Sequence, residues 1–304
     1  MVYDSVDALP VIEDLLRQKR LALFAGSGIS VPSNLPSWDG FVDKYIEACA
    51  KVNEALTDPA LRFDNIIDDA RKFKDKDLIT TITALKENIR ECKKEKGIDT
   101  DFIDDKFNEL FYSAHPNDYH KLIVSTDYNH IITTNYDNLL EKAADEEGYF
   151  KYTTRSYSYT NIAALSMAIY SGETSIIHAH GKIADIKLDE FVLTKDDYLS
   201  IMKHNPGFRL VINTIFLTNS VLFVGYGGSD PHFEDIIEDL NATLNWSSEG
   251  DKLPKCYIML KEDKISPIRD FLNNKKRIDI IRFKEYDEML DFLREIQMAF
   301  PKPK

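Results

Sequence analysis

Four short segments place small, polar or titratable residues directly behind apolar runs. They are Ala25-Gly26-Ser27-Gly28-Ile29-Ser30, Thr133-Thr134-Asn135-Tyr136-Asp137, His178-Ala179-His180-Gly181 and Gly225-Tyr226-Gly227-Gly228-Ser229-Asp230. Two glycines around a serine let a backbone approach a pyrophosphate, and the amides that follow can donate to it. The turn alone is a weak signal. Val31 stands where GxGxxG has its third glycine, no acidic residue ends a second strand ~20 residues on, and there is no GK[ST] phosphate loop. Asn135 and Asp137 are two residues apart just past an apolar run, so in extended chain they point to one side. A helix cap competes for Asp137, because Asn138 with Glu141 three residues later has the pattern of a capping box. Nothing of that kind competes for Asn135. His180 is the type of side chain that trades a proton near neutral pH, with a hydrogen-bonded core histidine as the competing reading. The His178/His180 pair has no third ligand at a recognisable spacing, so no metal is expected. No GxSxG is present to support a hydrolase triad.

These residues act together only if the elements before them lie side by side. Apolar residues Val6, Leu9, Ile12, Leu15 and Leu16 predict a helix running to about Arg20, and Leu21 to Ala25 reads as a short buried strand. From about Trp38 to Phe111 the pattern is helical, including the run from Asp75, with few glycines or prolines and high charge. That block, about residues 38–112, reads as a helical insertion or subdomain within a single domain of residues 1–304. Strands then alternate with helices. HIITT, Ser175 to Ala179, VLFV, KCYIML and RIDIIRF read as strands. Helices are expected from a cap at Asp230 with Pro231 at the first position, around Pro267 to Asn273, and over Glu288 to Met298. This alternation predicts an α/β fold, a Rossmann-like doubly wound parallel sheet. In such sheets ligands bind outside the carboxyl ends of the strands, where all four segments fall.

Composition narrows the function classes. Of 304 residues, 43% are hydrophobic and 29% charged, which is globular and excludes a disordered chain. A formal charge of −13 argues against direct binding of nucleic acid. No apolar run approaches the ~18 residues of a membrane span, and the N-terminal residues lack the layout of a signal peptide. Cys49, Cys92 and Cys256 are far apart and form no CxxC pair, so neither a four-thiolate site nor a disulfide framework is expected. A cytoplasmic protein is the expectation.

Taken together, FAGSGIS (Phe24 to Ser30), TTNYD (Thr133 to Asp137), His180-Gly181 and GYGGSDPH (Gly225 to His232) resemble the sirtuin family. The resemblance is closer to the bacterial sirtuin-like proteins that cleave NAD in antiphage defence. It spans about residues 21 to 240, with the motifs in the family's order. The resemblance implies NAD+ as substrate, with Asn135, His180 and Asp137 as catalytic residues. It places Ala25, Gly26, Ser27, Gly28, Ser30, Thr134, Gly225, Tyr226, Ser229 and Asp230 around the dinucleotide. Deacylating sirtuins carry two cysteine pairs for a structural zinc after the His-Gly pair, whereas here no cysteine lies between Cys92 and Cys256. VPSNLPSWDGF stands in place of their proline-rich substrate loop. A zinc-binding module is therefore not expected, and an acyl-lysine substrate is disfavoured.

The implied activity is an NAD+ glycohydrolase releasing nicotinamide and ADP-ribose or its cyclic form. A protein deacylase and a non-catalytic module sensing NAD or ADP-ribose are the alternatives. Because an uncontrolled NAD hydrolase drains its own cell, and no sensor domain is read in the chain, control is expected from outside. The expected agents are a homo-oligomer or a defence partner: a HerA-like ATPase, a short Argonaute or a phage protein. The helical block follows directly on the glycine turn and is the expected lid or contact surface.

Overall fold

The computed structural model describes residues 1–59, 62–96, 101–149, 154–182, 192–227, 237, 254–266 and 278–303. Eight strands form one sheet: β1 (Val2–Asp4), β2 (Leu21–Ala25), β3 (His130–Thr133), β4 (Thr154–Ser158), β5 (Thr174–His178), β6 (Ser220–Val224), β7 (Cys256–Lys261) and β8 (Ile278–Phe283). Their order is β1-β8-β7-β6-β2-β3-β5-β4, and every pairing is parallel. The chain builds outward from β2 through β3, then returns to pair β6 on the other side of β2. The carboxyl ends of β2, β3 and β6 therefore flank the point where the strand order reverses, which is where a ligand crevice opens.

Strand period explains why both faces are covered. In β2, Leu21, Leu23 and Ala25 join one buried cluster, while Ala22 and Phe24 join another. The first face is covered by α1 (Ser5–Arg17), by α6 (Asp118–Ser125) and α7 (Leu139–Glu146), and by the last helix, α11 (Tyr286–Ala299). The second is covered by α8 (Ile162–Tyr170) and α10 (Pro206–Thr218), with α9 (Lys195–His204) beside α10. The sheet is thus doubly wound, as the alternation of elements predicts. Between β2 and α6 the chain forms α2 (Trp38–Ala55), α3 (Asp64–Phe73), α4 (Leu78–Lys96) and α5 (Asp101–Tyr112). Ser37 caps α2 by accepting the Gly40 amide, and Phe41, Val42, Tyr45, Ile46, Cys49 and Val52 form its buried stripe. These helices share a separate core that also takes in Tyr136 and Leu139.

Several boundaries differ from the sequence reading. The first helix ends at Arg17 rather than Arg20, because Lys19 turns left-handed (φ 54°) and the Lys19 and Arg20 amides fold back to the Leu16 and Leu15 carbonyls. The strand expected over Ser175 to Ala179 covers Thr174–His178, and the Ala179 amide closes its ladder by donating to the Thr133 carbonyl at 2.8 Å. The last helix starts two residues before Glu288. β1 and β4 are edge strands without an apolar run, so no buried-strand pattern marks them. The expected helix start at Asp230-Pro231 and the helix around Pro267 to Asn273 lie outside the described residues.

Candidate functional site

The two glycine turns meet edge to edge. Gly26 donates to the Val224 carbonyl at 2.9 Å and Gly28 to the Gly225 carbonyl at 2.8 Å. A Cβ on Gly26 would lie 2.6 Å from the Gly225 oxygen, and one on Gly28 would lie 2.7 Å from it. Gly225 has φ +65°, and a Cβ there would meet the Ile29 nitrogen at 2.6 Å. The glycines are thus required by this backbone contact, which brings the ends of β2 and β6 together at one mouth.

Behind that mouth lies a partly open cavity whose free space, solvent at its entrance included, is about 910 Å³. Its polar wall holds Gly26, Ser27, Ser30, Thr134, Asn135, Asp137, His180, Gly225, Tyr226 and Gly227. Ala25 is a core residue of β2, and Gly28 packs on Gly225 behind the wall. Ser229 and Asp230 lie outside the described residues. The opposite wall is apolar and comes from the segment leading into α2 and from the helical block: Leu35, Trp38, Phe41, Ile79 and Phe111, joined by Val192 and Leu193. A pocket with an apolar wall and a few converging polar groups is the usual form of a small-molecule site.

The polar wall is tightly hydrogen-bonded. Asn135 takes its place because its amide donates to Thr133 Oγ1 at 3.0 Å, while that hydroxyl donates to the Ala25 carbonyl at 2.8 Å. Asn135 Nδ2 then donates to the Gly26 carbonyl (3.3 Å) and to Ser30 Oγ (3.2 Å). Ser30 Oγ donates to Asp137 Oδ2 at 2.9 Å. Asp137 Oδ1 accepts the Leu139 amide at 3.1 Å, so this carboxylate also caps α7. The anticipated Asn138–Glu141 capping box does not form, for Asn138 makes no side-chain cap and Glu141 turns inward. Burial pushes the Asp137 carboxyl up, against the pull of its hydrogen bonds and of His178 nearby. Burial pushes the His180 imidazole down to about 3, so it is neutral at pH 7.

Four residues enter the site in roles the sequence reading did not assign, and His120 was not singled out there at all. His120 Nε2 lies 3.2 Å from Ser30 Oγ, and its Nδ1 accepts the Asn117 amide. Nε2 therefore carries the proton and donates to Ser30, which rules out His120 as a base for that hydroxyl. Tyr136 donates to the Val192 carbonyl at 2.8 Å and packs on Phe41, tying the Asn135 segment to the apolar wall. His178 and Glu141 form a buried pair beneath Asn135. His178 was visible only as half of an HxH. Among the described residues no three His, Cys, Asp or Glu side chains gather as a metal site would need.

A parallel sheet whose switch-point crevice is rimmed by two interlocked glycine turns has the architecture of a dinucleotide-binding α/β protein. The family model for the SIR2-like domain matches residues 129–281, half of the chain, and the protein belongs to that family. It is 28% identical to Defense-associated sirtuin 2 of Bacillus subtilis over 247 residues, covering 79% of this chain and 20% of that protein. It is 25% identical over 309 residues to NAD(+) hydrolase ThsA of Enterococcus faecium, covering 94% of this chain and 57% of that one. The ThsA of Acinetobacter baumannii (strain 532279) is 26% identical over 227 residues, covering 73% and 39%. The chain thus spans less than two thirds of the length of each of these relatives. Among solved structures it is similar to Sir2Tm bound to a propionylated peptide, at 14% identity and a TM-score of 0.44, covering 95% of this chain and 97% of that one.

Proposed function

We propose that this chain cleaves NAD+, at the bond between nicotinamide and ribose; its ThsA relatives are named NAD(+) hydrolases. The observation that carries the reading is the convergence of Asn135, Asp137 and His180 on one cavity with both glycine turns. The glycine turns accommodate the pyrophosphate, and the apolar wall accepts a flat base. The C1′–N bond breaks with its electron pair passing to the pyridinium nitrogen, which leaves as neutral nicotinamide. Positive charge then develops on the ribose, and a buried carboxylate at Asp137 stabilises it. The cationic ring opposes the effect of burial on Asp137 and favours its ionised form. Water adds to C1′ and gives up a proton. Asn135 Oδ1 accepts no hydrogen bond from the described residues and is available to hold that water. His180, neutral at pH 7, has a lone pair for the proton. Products are nicotinamide, ADP-ribose and a proton. Attack by the adenine instead of water gives the cyclic form.

In this reading residues 1–304 act as one cytoplasmic NAD-cleaving unit in antiphage defence, with the block at 38–112 as its lid. NAD+ is the substrate and no metal takes part. Assembly with further copies, or with a HerA-like ATPase, a short Argonaute or a phage protein, switches it on. Among the described residues no helix is long and apolar enough to cross a membrane. The test is chromatography of nicotinamide and ADP-ribose after incubation of the purified protein with NAD+, alone and with candidate partners. Asn135→Ala and His180→Ala are expected to lose on the order of 100-fold or more in rate while keeping the parent's circular dichroism. Parent-like release by either variant overturns these roles.

A further inference from the structure

Beneath Asn135 lies a pair of titratable groups to which the proposed chemistry assigns no step. His178 ends β5, and in the ladder it stands beside Thr133 of β3 and Ser158 of β4. Its Nδ1 lies 3.0 Å from the Asn135 carbonyl oxygen and its Nε2 lies 2.8 Å from Glu141 Oε1. The carbonyl can only accept, and so can Glu141 as the carboxylate that His178, Ser156 and Lys182 keep ionised, so both ring nitrogens carry protons in the two hydrogen bonds. The ring is then an imidazolium, completely shielded from solvent, opposite a carboxylate. Glu141 Oε1 also accepts from Ser156 Oγ at 2.5 Å, and Lys182 Nζ stands 3.8 Å from it. One carboxylate oxygen thus gathers α7, β4, the end of β5 and the segment just after His180.

A buried ion pair is a poor device for stability alone, because desolvation consumes most of its attraction and apolar residues of similar volume would serve. What distinguishes this pair is its target. The Asn135 amide is tied to Thr133 Oγ1 and its Nδ2 to Gly26 and Ser30, and the His178 bond ties the remaining main-chain group, the carbonyl. We propose that Glu141 and His178 are positioning residues: the carboxylate holds the ring doubly protonated, and the ring fixes the Asn135 peptide so that its side-chain amide stays aimed at the cavity. Burial alone would favour a neutral ring, but the Glu141 charge and hydrogen bond and the Asn135 carbonyl outweigh it, and His178 is raised. The proposal deepens the NAD-cleaving reading, and only the kinetic arm of its test rests on that reading.

The test uses isosteric variants of the full chain. His178→Asn keeps a donor at the Nδ1 position, whereas His178→Gln keeps one at the Nε2 position and loses the bond to Asn135. In 15N-histidine spectra near neutral pH, the resonance missing from His178→Asn is expected to show both ring nitrogens protonated; a neutral ring overturns the pair. The Asn135 side-chain amide signals are expected to stay in place in His178→Asn and to move in His178→Gln. Against NAD+, His178→Gln is expected to lose about tenfold in kcat with KM within about twofold, and His178→Asn to stay within about threefold of the parent. Equal loss in both variants, or loss in neither, overturns the positioning role. Should both fail to fold, Glu141→Gln keeps shape without charge. There a singly protonated His178 ring and displaced Asn135 signals are expected, and unchanged spectra overturn the proposal. A parent without turnover under every condition would refute NAD cleavage, while the spectra would still decide the pair.

Discussion

Ser30 is the junction on which the polar wall depends. Its hydroxyl donates to Asp137 and accepts from Asn135 Nδ2 and His120 Nε2, all in buried surroundings. Ser30→Ala leaves those three groups short of a partner and is expected to cost about 1–3 kcal/mol, with slower nicotinamide release. A urea midpoint equal to the parent's would contradict this account. The histidines give the molecule a directed response to pH. Burial lowers His120 and His180 to about 3 and His130 to about 4, against roughly 6.5 in an unfolded chain. Their contribution is therefore complete above about pH 6.5 and declines on acidification, because the unfolded chain takes up protons first. His178, raised, has the opposite sign: its contribution is present below about pH 6.5 and lost as pH rises through its folded value. Glu141 would be raised by burial, but His178, Ser156 and Lys182 hold it at about 2, so its contribution is lost only as pH falls below about 4.3. Three groups against one predict a fall on the order of a few kcal/mol between pH 7 and pH 5, read from urea midpoints. A higher midpoint at pH 5 would show that His178 dominates.

Among the elements, the join between α4 and α9 controls the apolar wall. Lys86 is buried on α4 and donates to Asp197 Oδ2 at 2.7 Å, and Arg90 reaches Oδ1 of the same carboxylate. Asp197 also accepts the Leu193 and Thr194 amides, so it anchors the chain immediately beside the two cavity-lining residues Val192 and Leu193. Burial opposes ionisation of Asp197, yet Lys86, Thr194 and Arg90 keep its carboxyl low. Lys86→Met keeps the stem's packing and removes the charge. It is expected to cost roughly 2–4 kcal/mol, the milder end for a broken buried pair because Arg90 remains. Since the wall is held through this contact, KM for NAD+ is expected to rise several-fold with a smaller change in kcat. A changed melting temperature with unchanged KM would separate the helix contact from the site.

For the whole molecule, the helical block and the parallel sheet share the cavity, and Tyr136 belongs to the block's core while sitting between Asn135 and Asp137. A force applied to that block by another copy or a partner reaches the proposed catalytic segment through contacts already present. Dilute, monomeric protein is therefore expected to turn NAD+ over slowly, with the rate per chain rising with concentration or on adding the partner. Turnover measured across a concentration series, beside size-exclusion chromatography, checks this. A high rate independent of both would refute external control.

Much of this was legible from local pattern. Apolar runs of four or five residues followed by glycine located β2 and β6, because parallel strands buried on both faces have no polar side to show. The placing of Asn135, Asp137 and His180 behind such runs pointed to the cavity they line, because in this fold strand ends converge. Edge strands β1 and β4 escaped notice, for they lack a second buried face and hence the apolar signature. The partners of the site escaped for a different reason. His120 is 90 residues from Ser30, Glu141 is 37 from His178, and Lys86 is 111 from Asp197. No spacing rule connects such pairs. Lys86 was only one charge in a helical run and Glu141 a capping candidate, and only packing took both out of water. Burial then fixed what each must bond, and with it the charge each carries.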